Sequence, residues 1–169
     1  VCVGNTNDTN YVFSIPEDVT TTINSGTASF DDLKIYQGTF LKKIFVVNGS
    51  IDQRFILDNS FIDTSTIVVK VKGISDTGEG REYSLASNIL NLDETSEIYL
   101  LQEVQDEKYE LLFGDGYFGK KLEDGAVVTV SYVITDGKDG NGPSNFSFSG
   151  RVTDGDGNNT DLSGALTLI

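Results

Sequence analysis

Tyr109-Glu-Leu-Leu-Phe-Gly-Asp-Gly-Tyr-Phe-Gly119, followed by Lys120-Lys-Leu-Glu-Asp-Gly125 and the run from Ala126 to Thr135, decides how this chain folds. Alternation puts Tyr109, Leu111 and Phe113 on one side of a strand, and Gly114-Asp-Gly116 then supplies residues able to adopt positive φ. The chain is expected to turn sharply there. After a second breaker, Glu123-Asp-Gly125, the residues Val128, Val130, Tyr132 and Ile134 share one face, and Val127, Thr129, Ser131 and Val133 share the other. The reading is two strands joined through a glycine-bent corner.

Working outward, Ile98 to Val104 reads as a strand tied to Tyr109 by Gln105-Asp-Glu-Lys108. A link that short holds only antiparallel neighbours. Thr66 to Gly73 is another strand, with Ile67, Val69 and Val71 inward and Lys70 and Lys72 outward. Leu33 to Val47 is strand-rich, with Gln37-Gly38 as a bulge inside it. Its end is apolar on both faces: Phe40, Ile44 and Val46 alternate with Leu41, Phe45 and Val47, which predicts cover on both sides. Asn48-Gly49 predicts a hairpin turn before Phe55 and Leu57. Gly73 to Gly80 reads as a polar loop, and Leu85 to Leu90 as compatible with one helical turn. Residues 1–10 read as an exposed loop, Tyr11 to Ile15 as a strand stopped by Pro16, and 17–32 as an irregular connection. Toward the other end, Asp136 to Pro143 reads as a loop, and Phe146 and Phe148 anchor a last strand. The expected fold is all-β, a mainly antiparallel β-sandwich or partly open barrel with long loops and an extended N-terminal arm. Residues 1–32 form the arm, 33–150 the β-rich domain, and 151–169 a loop with a terminal strand.

With 169 residues the chain is long enough to bury a core. It contains no methionine, even at position 1, and so reads as a piece of a longer protein. No window resembles a signal peptide or a membrane span. The net charge of −14, from 26 acidic and 12 basic residues, argues against nucleic-acid binding, which relies on clustered cations displacing counterions. The single cysteine, Cys2, has no partner for an intrachain disulfide, and nothing nearby would activate its thiol.

Candidate chemistry is sparse. There is no histidine, so imidazole-based catalysis and the usual nitrogen ligand of zinc are both missing. Glu103, Asp106, Glu107 and Glu110 cluster around the predicted hairpin turn, where solvated charge is their ordinary explanation. Gly114 to Gly119 lacks the Lys-Ser/Thr of a phosphate loop. Asp154-Gly-Asp-Gly-Asn-Asn-Thr-Asp161 places Asp154, Asp156 and Asn158 as the first half of a calcium loop would. However, Asn159 stands where glycine is required and Ala165 where a bidentate glutamate is required. These three residues are the weak metal candidates.

Alone, Phe113 to Gly116 is a turn after a strand, as in many unrelated β proteins. The ordered set is more specific: Phe113-Gly-Asp-Gly-Tyr-Phe-Gly119, Gly125, Val128 to Tyr132 and Gly140-Asn-Gly142 resembles the FGDG…G…G…Y…GN pattern of baseplate J-like proteins. Ile98-Tyr-Leu-Leu-Gln-Glu103 and Asn145-Phe-Ser-Phe-Ser-Gly150 extend the resemblance to the baseplate wedge proteins of T-even-like contractile-tailed phages (myoviruses). The likeness covers roughly residues 98–150 and extends back to about residue 33.

The resemblance implies a non-enzymatic virion protein of the tail baseplate, assembled in the host cytoplasm. Its expected partners are other copies of the same protein and other wedge subunits, with no cofactor, membrane, nucleic acid or small-molecule substrate. Phe113, Gly114, Asp115, Gly116, Gly119 and Gly125 are the expected structural turn, and Phe113, Tyr117, Phe118 and Tyr132 are expected to pin it to the core. Two other functions fit the residues: a secreted calcium-dependent adhesion or carbohydrate-binding β-sandwich, and an acidic hydrolase.

Overall fold

The computed structural model describes residues 1–6, 8–16, 18–88, 92–144, 146–148 and 150–160. In chain order the strands are β1 (Cys2–Thr6), β2 (Thr9–Ser14), β3 (Ile23–Asn24), β4 (Thr27–Ala28), β5 (Tyr36–Gln37), β6 (Thr39–Val46), β7 (Phe55–Leu57), β8 (Ile62–Lys72), β9 (Arg81–Leu85), β10 (Ile98–Val104), β11 (Lys108–Phe113), β12 (Val127–Ile134) and β13 (Phe146–Phe148). Among the described residues the helical elements are two 3₁₀ turns, Gln105–Glu107 and Gly137–Gly140. The fold is all-β, as the alternation predicts. The chain divides into two units, one of Val1–Phe40 with Thr135–Ile169 and one of Leu41–Ile134.

The Leu41–Ile134 unit is built on a seven-stranded sheet of order β6-β12-β8-β9-β10-β11-β7 that curls into a nearly closed barrel. β10 and β11 pair antiparallel through the short turn at Gln105–Glu107, as their link requires. β9 and β10 run parallel, which the longer connection between them permits. Inward residues follow the period-two pattern: Leu57, Val69, Val128 and Val130 are fully buried, Leu111 and Tyr132 nearly so, and Tyr109, Phe113 and Ile134 pack around them. Each such aliphatic side chain contributes roughly 1.5–3 kcal/mol by leaving water.

The long strand β8 begins four residues earlier than its alternation indicates, because a bulge hides the pattern. Ser131 stands opposite Val68 and Val133 opposite Asp63, so residues 64–67 bulge out where one residue would pair with Tyr132. Thr66 repairs the interrupted ladder. Its hydroxyl accepts from the Val133 N–H at 2.9 Å and donates to the Asp63 carbonyl at 2.7 Å.

The expected Asn48-Gly49 hairpin turn is not formed: Gly49 takes φ 66° and the Asn48 side chain accepts from the Ser50 N–H, but the hydrogen-bonded turn is Ser50–Gln53, and β6 and β7 do not pair. β6 and β7 are the two ends of the sheet order, and side chains join them in place of a backbone ladder. Phe45 meets Phe55 edge to face at 5.5 Å, the Lys43 ammonium pairs with Asp58 at 3.0 Å, and Gln53 Nε2 donates to the Val46 carbonyl at 2.7 Å. The predicted two-sided cover of β6 is met on one side. Leu41, Phe45 and Val47 pack inward, whereas Ile44 and Val46 stand 63% and 59% exposed.

In the other unit, the expected loop at residues 1–10 holds strands instead: Cys2–Thr6 are β1 and Thr9 and Asn10 begin β2, the two paired antiparallel in a sheet of order β13-β1-β2-β5. Phe13 packs edge to face on Phe146 at 4.9 Å, and Cys2 is buried. Residues 17–32 hold a small hairpin of β3 and β4. Gly38, at φ 129°, is not a bulge within one strand. It separates β5 from β6, which belong to different sheets. Residues 89 and 90 of the expected helical turn and 161–169 of the expected terminal strand lie outside the described residues. Residues 86–88 are not helical.

Replacing Thr66 with valine keeps its shape and removes the hydroxyl that holds the bulge, leaving the buried Val133 N–H unpaired. Urea denaturation should show a loss of about 1–3 kcal/mol, and Thr66→Ser should recover most of it.

Candidate functional site

The corner after β11 is a closed hydrogen-bonded unit. The Gly116 N–H donates to the Gly119 carbonyl at 3.1 Å, and one oxygen of the Asp115 carboxylate accepts from the Tyr117 and Phe118 N–H groups, both at 2.9 Å. Aspartate at this position satisfies donors that a tight turn would leave facing water. The corner then docks on residues 93–96: Gly119 N–H donates to the Asp93 carbonyl at 2.9 Å and Lys120 N–H to the Ser96 carbonyl at 2.8 Å. Asp93 holds that platform in shape, its carboxylate accepting from the Thr95 N–H and from the Thr95 and Ser96 hydroxyls.

Glycine is required at two places for different reasons. At Gly114 a Cβ would lie 2.1 Å from the Gly119 carbonyl carbon, so the two arms of the corner could not close. At Gly119 the backbone is left-handed, φ 87°, and a Cβ would press on Ile98 at 2.9 Å.

Glu97 is the electrostatic centre beside the corner. One of its oxygens takes Lys120 at 2.8 Å and Arg81 at 2.9 Å. The Lys120 bond, and then the Arg81 bond, hold its carboxyl below the usual glutamate range. Asp93 is held low by the Ser96 and Thr95 hydroxyls, and Asp115 by the Phe118 and Tyr117 N–H groups. A cleft of about 120 Å³ runs between Arg81, Tyr83, Glu97 and Lys120, and its central charges satisfy one another.

The expected pins divide into two pairs. Phe113 packs edge to face on Phe55 at 5.1 Å and on Tyr83 at 6.0 Å, and Tyr132 is buried with its hydroxyl donating to Asn59. Tyr117 and Phe118 do the opposite of what was expected. They are 80% and 63% exposed, at the tip of the corner that these bonds close. Gly116 and Gly125 have the positive φ their turns predict, 96° and 82°.

The calcium candidates form a self-contained turn. Asp154 accepts from the Asp156 and Asn158 N–H groups, and its other oxygen accepts from the Asn158 amide. Among the described residues no group of three or more acidic or cysteine side chains converges on a point.

Glu110, expected to be solvated, is 7% exposed and gripped bidentately by Arg54 at 2.8 and 2.6 Å. Sequence distance hid that pair, since Arg54 and Glu110 meet only when β7 lies beside β11. The Asp93 platform was missed as well, although Asp-x-Thr-Ser is a self-bonding turn composition that signals it. No protein-family model matches the chain, and no curated protein is similar to it.

Gly114→Ala should unfold the corner, while Gly116→Ala, whose Cβ would meet only the Lys121 Cβ at an ordinary 3.7 Å, should cost only about 1 kcal/mol of backbone strain. Chemical denaturation of the two variants gives the ranking. Glu97, Asp93 and Asp115 all have lowered carboxyl pKa values in the folded chain. Their stabilisation is therefore complete above the unfolded values of about 4 and is lost as pH falls through and below them. Denaturation midpoints should drop between neutral pH and about pH 3, and Glu97→Gln should flatten that drop.

Proposed function

We propose that this chain is a structural assembly module of a contractile-tail baseplate wedge, a non-enzymatic virion component. It holds geometry and contacts other copies of itself and other wedge subunits while the baseplate ring controls sheath contraction. The observation that carries this reading is what the pattern residues do. Phe113 and Tyr132 pack into the core, and Gly114 and Gly119 close the corner. Gly140, in the other unit, is buried where a Cβ would overlap the Gln37 side chain, and Gly142 turns at φ 122° against Thr6. Each serves backbone approach or packing, and none lines a cleft with free catalytic groups. A motif that spends its residues on shape suits a part whose use is its surface.

The corner adds a second support. A turn with this many internal bonds loses little freedom when its tip is captured, which favours association. The test is sedimentation of the chain alone and with candidate wedge subunits. Co-sedimentation with one of them is expected, together with a melting temperature unchanged by chelator. A chain that stays apart from every wedge subunit and loses several degrees on chelation would replace this reading with the calcium-dependent adhesion module.

A further inference from the structure

The loops at one end of the Leu41–Ile134 unit gather into a single surface. β6 ends beside the start of β12, where Val47 and Ala126 share a hydrogen bond, and β8 ends beside the start of β9, with Val71 opposite Arg81. Gly49 faces Asp124, Gly73 faces Asp76 and Glu123, and the corner sits on residues 93–96. The chain enters this unit at Leu41 and leaves it at Ile134, at the other end of the strands.

Four large apolar side chains stand on these loops: Ile51 at 98% exposure, Ile74 at 70%, Tyr117 at 80% and Phe118 at 63%. Their loops lie at one end of the strands, and apolar side chains exposed together at one end mark an interaction site more often than the same residues scattered singly. Two of the four are aromatic and sit on a pre-bonded turn. Such anchors carry most of the energy of an interface, since they bring large area at low ordering cost.

Charge selects the partner. Loops 48–54, 73–80, 92–97 and 114–125, with Lys72 and Arg81 at the strand ends beside them, hold nine acidic against five basic residues, a net −4; Glu97 is paired with Lys120 and Arg81, Glu79 with Lys70, and Arg54 with Glu110. Residues 41–134 as a whole hold sixteen acidic against nine basic, a net −7, so the negative charge is concentrated at this end. A second copy, carrying −14 in all, is repelled from such a surface, and a basic one is attracted.

We propose that this loop-bearing end is a docking surface for a basic protein partner, with Tyr117 and Phe118 as its anchors and the surrounding carboxylates as its rim. The partner's matching surface pairs Lys or Arg with apolar side chains. The proposal deepens the assembly reading and rests on it for its biological setting, while the experiment below reads the surface alone.

The probe is a synthetic peptide of alternating lysine and valine, titrated into the isotope-labelled chain and followed by NMR. A matched peptide with glutamate in place of lysine is the control. Shifts confined to Ile51, Ile74, Tyr117, Phe118 and their neighbours are expected, weakening as salt is raised, with no response to the acidic peptide. The Tyr117→Ser/Phe118→Ser variant should bind about tenfold more weakly or worse. Ile51→Ser, which alters a side chain with no packing to lose, should weaken binding in the same direction.

Shifts centred on the outer face of β6, equal binding of both peptides, or undiminished binding by the variants would overturn the proposal. So would self-association of the unliganded chain that the double variant abolishes, since the occupant would then be a second copy. Failure here beside successful co-sedimentation with a wedge subunit would remove this surface and leave the assembly reading intact.

Discussion

A seven-stranded sheet with two free edges has to hide them, and here the edges meet and are joined by side chains. Between β6 and β7 the bond that matters is apolar: Phe45 against Phe55, continued by Phe113 and Tyr83 as a run of edge-to-face rings through the core. Lys43–Asp58 and the Gln53 amide flank it at the surface, where an exposed ion pair contributes little beyond about 1 kcal/mol. The aromatic run therefore carries most of the closure. Because a side-chain seam has no register of its own, the neighbouring strands must place Phe45 and Phe55 correctly before it can form.

That closure is what makes the glycine corner possible. Phe113 is the last residue of β11 and also a member of the aromatic run, so the corner begins from a fixed point. Gly114 and Gly119 then approach each other too closely for any side chain, and residues 93–96 supply the acceptors that hold the returning arm. The exposed Tyr117 and Phe118 stand at the tip of the corner so closed.

The acidic composition has a local meaning as well as a global one. Glu97, Asp93, Asp115, Glu110 and Asp154 are all engaged by donors, and each has its carboxyl held below the ordinary range by the bond it accepts. These acids are structural acceptors in turns and strand pairs. The unengaged acids lie mainly on loops, where they keep chains apart or select a basic surface.

The alternation of β10, β11 and β12, the antiparallel link of β10 to β11 and the need for glycine at the corner were all determined by local residues, because side-chain direction and positive φ are properties of a few consecutive positions. The β8 bulge, the opposite-edge placement of β6 and β7, the Arg54–Glu110 pair and the pairing of β1 with β13 were not. Each joins residues brought together only by strand order, and alternation carries no information about which distant strand lies alongside. The outward aromatic tip belongs with these: hydrophobicity suggested burial for Tyr117 and Phe118, whereas the structure leaves them exposed at the tip of the closed corner.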